Sequence, residues 1–434
     1  MPRWLQWYLL GTLALIITLL PVHAFISTWG GTEIGPLLVW KSWKEILLVP
    51  AALAVILWAA IRPAVMHELI DDKLVPLIAL YGLLVLGYMG FGTDANGLDA
   101  MIAGVAFDLR YFVMFGLAFL LFRFGTFDKK PLISYVASFL IGTGLVLSVI
   151  GILQVTVIPR EFLAIFGYEK FTTIAPYLTI DEKSPDIIRA FATLRGPNDY
   201  GAYLVMTLAF ALVCLSTYKR KIAVGSIMLL GIFVSHSRSA YLAAAVVVVL
   251  WLITTIGIER LKKHWKYGVL AVVVVVAVAS LSLISPTVRL IVFHSSENDT
   301  HLTEGNLEAH GDAIVDTSER VAEKPLGCGT GCSGPASYYG PDPKISENYY
   351  LQIAEQYGVL GLGLWLAIFV VIMRRLYATS RNNPAALALF IAGIGLSVIG
   401  VLLHVWADDP LSMTWWVIAG AILGMSSIIA TTKK

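Results

Sequence analysis

Apolar runs long enough to cross a membrane recur from one end of the chain to the other, and short polar segments separate them. This pattern predicts an all-α polytopic membrane protein. About twelve transmembrane helices are expected, over residues 4–26, 45–61, 74–92, 100–122, 132–158, 199–217, 221–236, 239–258, 267–285, 347–373, 385–406 and 410–430.

The composition agrees with a membrane protein. Of the 434 residues, 58% are hydrophobic and 14% are charged, and the mean hydropathy is +0.78. The formal net charge is only +2, so no basic excess points to nucleic acid. The expected environment is the lipid bilayer.

Lysine and arginine follow every even-numbered predicted helix, which orients the bundle by the positive-inside rule. The residues concerned are Arg62, Lys73, Arg123, Lys129, Lys130, Lys219, Arg220, Lys221, Arg260, Lys262, Lys263, Lys266, Arg374, Arg375, Arg381, Lys433 and Lys434. Both termini are therefore expected in the cytoplasm. The first helix lacks a following cleavage site, so we expect it to be retained rather than removed as a signal peptide.

Two connections, 159–197 and 286–346, are much longer than the others, and both fall on the outer face. The second divides the chain into a bundle of nine helices (1–285, including the outer loop 159–198), a large loop with short helices (286–346) and three last helices (347–434). Residues 307–321 of that loop are expected to form amphipathic helix. Its histidines, His294, His301 and His310, are expected to be solvated rather than to bind a metal.

The tenth predicted helix opens with polar and acidic residues. Asn348, Gln352 and Glu355 form one polar stripe at i, i+4 and i+7, and such a stripe in a membrane helix needs a protein or aqueous partner. Glu347 lies at the outer boundary. It is either a catalytic carboxylate or a first-turn acid that compensates the helix dipole.

Several arginines lie at the outer boundary or inside a helix, against the positive-inside trend. They are Arg110, Arg189, Arg195, Arg238, Arg289 and Arg320. Three predicted helices also start at the outer face with suitable caps: Asn198, Ser237 or Ser239, and Ser346. Guanidinium groups beside helix N-termini suit a phosphate or diphosphate. The alternative is that these arginines reach lipid headgroups.

The three cysteines suggest one bridge. Cys214 lies inside an apolar helix, whereas Cys328 and Cys332 flank a Gly-Thr-Gly turn in the large outer loop. We predict a local disulfide between them if their Cα atoms lie within about 7 Å. Two thiols are too few for a structural zinc site.

Four segments, in this order, resemble the O-antigen ligase and O-antigen polymerase superfamily of bacterial membrane glycosyltransferases. They are RAFATLRGPNDYGAYL (189–204), SHSRSAYL (235–242), KPLGCGTG (324–331) and ENYYLQIAEQYGVLG (347–361). In the ligases the last motif opens with His-Asn, which is followed by nine residues and then by Gly-x-x-Gly. Here the frame fits Asn348, Gly358 and Gly361, while Glu347 replaces the histidine.

The resemblance implies a GT-C-like bundle in the bacterial inner membrane that transfers a glycan from an undecaprenyl-diphosphate donor to a glycan or lipid-glycan acceptor. It implies no metal and no cofactor, with Arg195 and Arg238 holding the diphosphate and Glu347 as catalytic base. The other candidate substrate-binding residues are Arg110, Arg189, Asn198, Arg320 and Asn348. Asp408 and Asp409 are either acceptor contacts or a solvated turn.

Two other functions remain open from the sequence. A twelve-helix secondary transporter or lipid-linked glycan flippase would use Asp108, Arg110 and Glu355 as buried charges. A noncatalytic scaffold would leave the arginines beside helix termini without a role.

Overall fold

A computed structural model describes residues 1–91, 96–181, 184–256 and 309–431. Predicted helix 9 (267–285) and Arg289, His294 and His301 lie outside the described residues. The helices are α1 Arg3–Leu19, α2 His23–Glu33, α3 Leu37–Lys41, α4 Trp43–Ala60, α5 Pro63–Asp71, α6 Leu74–Gly87, α7 Leu98–Phe124, α8 Lys130–Thr156, α9 Pro197–Cys214, α10 Tyr218–Val234, α11 Arg238–Ile256, α12 Ala309–Glu323, α13 Tyr349–Thr379, α14 Pro384–Leu402 and α15 Asp409–Thr431.

The chain is an all-α membrane protein with little sheet. Among the described residues, seven helices are long and apolar enough to cross a membrane: Arg3–Glu33, α4, α7, α8, α11, α13 and α14. Described helices overlap predicted helices 1–8 and 10–12. The count of twelve spans stays a prediction.

The two strands among the described residues form one hairpin in the first long loop. β1 (Leu178–Asp181) pairs antiparallel with β2 (Ser184–Arg189), and Leu178 lies opposite Arg189. A 3-10 helix, Arg160–Phe166, precedes them. The hairpin ends at Arg189 and leads into the segment that precedes α9.

The centre of the bundle is aromatic. Trp365, Trp406, Trp415 and Trp416 are fully buried, and the Trp406 and Trp415 ring centroids lie 5.3 Å apart. Tilted and edge-to-face contacts such as these add to the burial of large apolar area. Because Trp406 belongs to a 3-10 helix, Val405–Ala407, the loop between α14 and α15 is anchored in this core.

Helix α15 packs on α7 through two glycines. A Cβ atom at Gly420 would overlap the carbonyl oxygen of Phe115, and one at Gly424 would lie 2.5 Å from the carbonyl oxygen of Phe119. Gly420 and Gly424 are four residues apart, the small-x-x-x-small spacing that lets membrane helices approach closely.

Helix α13 is kinked at Gly358, whose φ is 69° and ψ is −178°. These angles belong to a region that glycine alone adopts readily. The predicted disulfide is present in the loop beside the kink: Cys328 and Cys332 are bonded, with Cα atoms 6.1 Å apart. Cys214 is a free thiol.

The predicted helix caps need correction. The N-cap of α13 is Asn348, not Ser346, and its side chain accepts the backbone N–H groups of Tyr350 and Leu351. The N-cap of α9 is Gly196, not Asn198, because Pro197, whose fixed φ suits a helix start, occupies the first helical position; no side chain caps this helix. The expected amphipathic helix is α12, Ala309–Glu323, in the described part of the large loop.

We expect Gly420→Ala to destabilise the protein by about 1–3 kcal/mol, because the added methyl group separates α15 from α7. Thermal unfolding in detergent micelles measures this as a lower Tm. Gly116→Ala on α7 is the matched control, since among the described residues no heavy atom lies within 4 Å of its Cβ position. Equal Tm values for Gly420→Ala and Gly116→Ala would contradict the close approach of the two helices.

Candidate functional site

A polar cavity of about 280 Å³ opens at the N-terminus of α9. It lies between the end of the first long loop and the loop that joins α14 to α15. Polar side chains dominate one wall, and Pro335 of the 3-10 helix Gly334–Tyr339 contributes to the other. The polar lining residues are Arg195, Asn198, Asp199, His404 and Asp408.

A strained turn presents Arg195 to this cavity. Ala192 has φ 49°, which is uncommon for a residue with a side chain. The turn is held by the side chain of Gln154, whose Oε1 accepts the backbone N–H groups of Phe191 (3.0 Å) and Ala192 (2.9 Å). Arg195 itself is exposed. Within the described ranges, no hydrogen bond or salt bridge is recorded for its guanidinium.

A second cation lies beside Arg195. Lys41, at the end of α3, is exposed, and its pKa is lowered by partial burial and then by the positive charge of Arg195. The sequence analysis missed Lys41. The sequence did indicate that this lysine is unusual. Lys41 and Lys44 follow predicted helix 1 on the predicted outer face, where the positive-inside rule disfavours lysine.

Arg189 has a structural role that the sequence did not reveal. Its Nε donates to the carbonyl of Ser235 at 3.1 Å, and its Nη2 donates to Oδ1 of Asn198 at 3.0 Å and to the carbonyl of His236 at 3.4 Å. Arg189 thus caps the C-terminus of α10. Arg189 and Asn198, both predicted to bind substrate, instead bind each other.

Arg238 begins α11 after a second strained turn, in which His236 has φ 51°. Burial lowers the pKa of His236 to about 4. Burial also lowers the pKa of Arg189 to about 10, and the charge of Arg238 adds to that effect. Arg238 therefore lies near Arg189 and is half-buried, but it is not among the residues that line the polar cavity.

Glu347 stands one residue before the N-cap of α13 and is half-buried. Its charge acts on His404 of the cavity wall. Asn348, predicted to bind substrate, is used by the helix start: besides capping α13, its Nδ2 donates to the carbonyl of Val401 at 2.9 Å. That bond fixes the start of α13 against the end of α14, next to His404.

The loop before α15 supplies the remaining polar wall. Burial lowers the pKa of His404, while the charges of Asp199 and Glu347 counteract this. Burial raises the pKa of Asp408, and the acids Asp199 and Asp409 raise it further. The lowered pKa of His404 and the raised pKa of Asp408 both favour the uncharged side chain. The cavity can therefore hold Asp408 close to Asp199. His404 and Asp199 were missed by the sequence analysis.

A buried ion cluster lies beneath this loop. Asp409 accepts from Arg110 and, at 2.8 Å, from Lys44, and Arg110 also pairs with Glu45 at 3.2 Å. A further Arg110 bond reaches the carbonyl of Ala407 at 2.8 Å. In the structure the Nη1 and Nη2 atoms of Arg110 are engaged by Glu45, Asp409 and the Ala407 carbonyl, and substrate binding by Arg110 stays a prediction. Asp409 is likewise neither a solvated turn residue nor a free acceptor contact.

Arg320 and Glu355 pair with each other. Arg320 Nε donates to Glu355 Oε1 at 2.5 Å, and Glu355 is 4% exposed. Arg320 is thus bonded to protein in this structure, and its role in substrate binding stays a prediction. The other buried acid of the predicted transporter, Asp108, accepts from the Tyr357 hydroxyl at 2.5 Å.

A second, mostly apolar cavity of about 190 Å³ lies on the other side of the Ala192 turn. Ala192 and Thr193 line it, and Arg195 of the polar cavity is two residues further on. Its remaining walls come from α2, α8, the 3-10 helix Arg160–Phe166 and the hairpin: Phe25, Ile150, Gln154, Ile158, Pro159, Arg160, Phe162, Leu163, Phe166, Pro176, Tyr177 and Ile188. The linings of the apolar and the polar cavity thus come within two residues of each other along the chain.

In the part of the chain that the structure describes, no group of three or more His, Cys, Asp or Glu residues could hold a metal ion.

Residues 223–366 match a protein family described as O-Antigen ligase. The matched stretch contains the SHSRS turn, the disulfide and Glu347, whereas the Arg195 turn precedes it. No match was found among curated proteins.

We expect Asp409→Asn to lower the free energy of unfolding by about 3–5 kcal/mol, because it leaves Arg110 and Lys44 buried without the carboxylate that they share. Thermal unfolding in detergent measures the loss. Asp342→Asn is the matched control, since it breaks a salt bridge with Lys344 that is largely exposed and should cost less than about 1 kcal/mol. Similar Tm values for the two variants would show that the buried cluster does not hold the helices together.

Proposed function

We propose that this chain, which matches the O-antigen ligase family over residues 223–366, transfers a glycan from an undecaprenyl-diphosphate donor to an acceptor hydroxyl at the outer face of the bacterial inner membrane. One observation carries this proposal. The guanidinium of Arg195, which makes no hydrogen bond or salt bridge with the described residues, lines the same cavity as His404, and His404 feels the charge of Glu347. This arrangement supports an anion site close to a candidate base.

The diphosphate is proposed to bind at Arg195. Its guanidinium fork matches two phosphate oxygens, and the cavity also receives the N-terminus of α9, whose first N–H groups and dipole favour an anion. Lys41 adds positive charge nearby. Arg238 is proposed as a further diphosphate contact from the family motif, although the cavity lining does not include it.

The apolar cavity supports a lipid-linked donor. A polyprenyl diphosphate has an anionic head and an apolar chain, and it needs adjoining sites of both kinds. Thr193 lines the apolar cavity and Arg195, two residues later, lines the polar one. We therefore assign the first part of the lipid chain to the apolar cavity and the diphosphate to the polar one.

In the proposed reaction the acceptor oxygen attacks the anomeric carbon as the bond from that carbon to the diphosphate oxygen breaks. The acceptor proton passes to Glu347, and the lipid diphosphate leaves with its added negative charge stabilised by Arg195. A carboxylate can replace the family's histidine because both side chains serve as general bases in enzymes. Glu355 is not proposed as the base, because Arg320 holds its carboxylate.

The remaining parts of the proposal concern topology and substrate. The twelve spans, the outer placement of loops 159–197 and 286–346 and the cytoplasmic termini are proposed from the Lys and Arg distribution. A ligase and a polymerase use the same donor chemistry, so the acceptor distinguishes them. The buried charges that a transporter would use, Arg110, Glu355 and Asp108, are engaged with other protein groups within the described part of the bundle, which favours the transferase over the transporter.

We expect Arg195→Ala to reduce glycan transfer about ten- to a hundredfold, because it removes charge-assisted hydrogen bonds of about 1.5–3 kcal/mol. Arg195→Lys should restore part of the activity, and Lys41→Ala should cause a smaller loss. Transfer is measured with purified lipid-linked donor. Arg189→Ala is a contrast, because it should lower the yield of folded protein. Unchanged donor KM and kcat in Arg195→Ala would remove Arg195 from the diphosphate site.

We expect Glu347→Gln to reduce kcat about 10²–10⁴-fold with little change in donor binding, because glutamine keeps the size of the side chain but cannot take the proton. Glu347→His should keep measurable activity, with a pH dependence moved toward that of imidazole. The rate of transfer against pH is the measurement. Wild-type turnover in Glu347→Gln would leave the carboxylate as a dipole-compensating residue.

A further inference from the structure

We propose that Glu355 is a positioning residue for glycan transfer: it holds residues 324–346, here called the clasp loop, against the kink of α13 and so sets the Pro335 wall of the polar cavity. The step from cavity wall to transfer rests on the proposed function. The contact between Glu355 and the clasp loop, here called the clasp, rests on hydrogen bonds within the described residues.

The Glu355 carboxylate joins two separate elements. Arg320 of α12 donates from Nε to Oε1 at 2.5 Å and from Nη2 to Oε2 at 3.4 Å. Ser333 of the clasp loop donates from Oγ to Oε2 at 2.6 Å. Arg320 is 31% exposed and Glu355 only 4%, so the acid is the buried centre of the contact. A buried carboxylate remains charged only with such partners.

The backbone of the clasp loop completes the helix at its kink. In a regular helix the N–H of Val359 would donate to the carbonyl of Glu355, but the turn at Gly358 separates them. Instead, the Val359 N–H donates to the carbonyl of Pro325 at 3.1 Å, and the Glu355 carbonyl accepts the Cys328 N–H at 2.9 Å. The clasp loop and α13 therefore satisfy each other's backbone groups, which membrane surroundings would leave costly to expose.

Further bonds extend the contact along the disulfide turn. The Gly329 N–H donates to the Gln356 carbonyl at 3.1 Å, and the Gly331 N–H donates to Gln356 Oε1 at 2.8 Å. The Thr330 hydroxyl reaches across to the Val85 carbonyl of α6 at 2.8 Å. Because the disulfide closes this turn, it keeps all three donors aimed at fixed carbonyls.

The clasp leads directly to the cavity. Ser333 is bonded to Glu355, Gly334 packs so closely on the Gln352 side chain that a Cβ atom would overlap it, and Pro335 lines the polar cavity. Only one residue, Gly334, separates the Ser333 contact with Glu355 from Pro335 of the cavity wall. Glu355 does not itself line the cavity, so its effect on transfer must pass through the loop.

The first test compares the pH profile and the kinetic constants of Glu355→Gln with those of the wild type. Glutamine keeps the size but loses the charge that binds Arg320. We expect kcat/KM to fall about tenfold or more, because small displacements of a site wall are costly, while the pH dependence of kcat keeps the wild-type shape. Unchanged kcat/KM overturns the proposal. So does a lost limb of the pH profile, which would make Glu355 a base.

The second test is a double-mutant cycle with Arg320→Ala. If the pair acts as one clasp, Arg320→Ala reproduces the loss of Glu355→Gln, and the double variant is no worse than either single change. Additive losses overturn a shared role. Asp342→Asn is the matched control, since it removes an exposed acid of the same loop that bonds to Lys344 and not to α13; it should leave kcat/KM unchanged.

The third test uses the disulfide. A reductant should lower kcat/KM of the wild-type protein in the direction of Glu355→Gln, whereas Cys328→Ser/Cys332→Ser should start from the lower value and not respond. A reduced wild-type protein with full kcat/KM would show that the turn needs no bridge to hold the wall, contrary to the proposal.

Hydrogen exchange separates this proposal from the proposed function. The amides of Cys328, Gly329 and Gly331 should exchange faster in Glu355→Gln than in Asp342→Asn, whatever reaction the protein carries out. Equal protection in the two variants overturns the clasp. Faster exchange without any glycan transfer by the wild type would uphold the clasp and refute the transfer reaction instead.

Discussion

The site depends on one buried carboxylate, that of Asp409. Arg110 and Lys44 both bind it, and these two cations come from α7 and from α4. The same Arg110 donates to the carbonyl of Ala407, so the ion cluster also holds the loop that carries His404 and Asp408. Charges removed from water are costly unless they are paired and hydrogen-bonded. The floor of the polar cavity is therefore built from groups whose separation would leave a charge buried alone.

Each of the two arginine motifs contains a strained turn shortly before its arginine. Among the described residues, the non-glycine residues with positive φ are Ala192 and His236, and each shortly precedes a motif arginine, Arg195 or Arg238. Strain of this kind persists only when the surroundings enforce it. Gln154 enforces the first turn through two backbone N–H groups, and Arg189 enforces the second through two carbonyls. A long polar side chain inside the bundle thus serves backbone geometry rather than substrate.

Hydropathy and local pattern predicted what depends on nearby residues. The apolar runs, the amphipathic α12, the bridge between Cys328 and Cys332 and the concentration of arginine near helix starts all follow from short-range signals. The pairing of the buried charges could not be predicted in this way. Arg110 meets Asp409 across 299 residues and Arg320 meets Glu355 across 35, and neither sequence separation leaves a periodic pattern. For that reason the protein partners of Arg110 and Arg320 were not predicted from the sequence.

The exchange of histidine for Glu347 has a physical counterpart in the cavity. On the proposed mechanism the base must accept a proton beside a leaving diphosphate, and an imidazole does so as a neutral group. In this chain an imidazole is present nearby in His404, whose pKa is lowered by burial and raised by the charges of Asp199 and Glu347. His404 comes from the loop before α15, not from the start of α13. The two elements are joined next to Glu347, because Asn348 donates to the carbonyl of Val401, three residues before His404. The cap of α13 therefore keeps the helix start that carries Glu347 against the end of α14 that leads to His404.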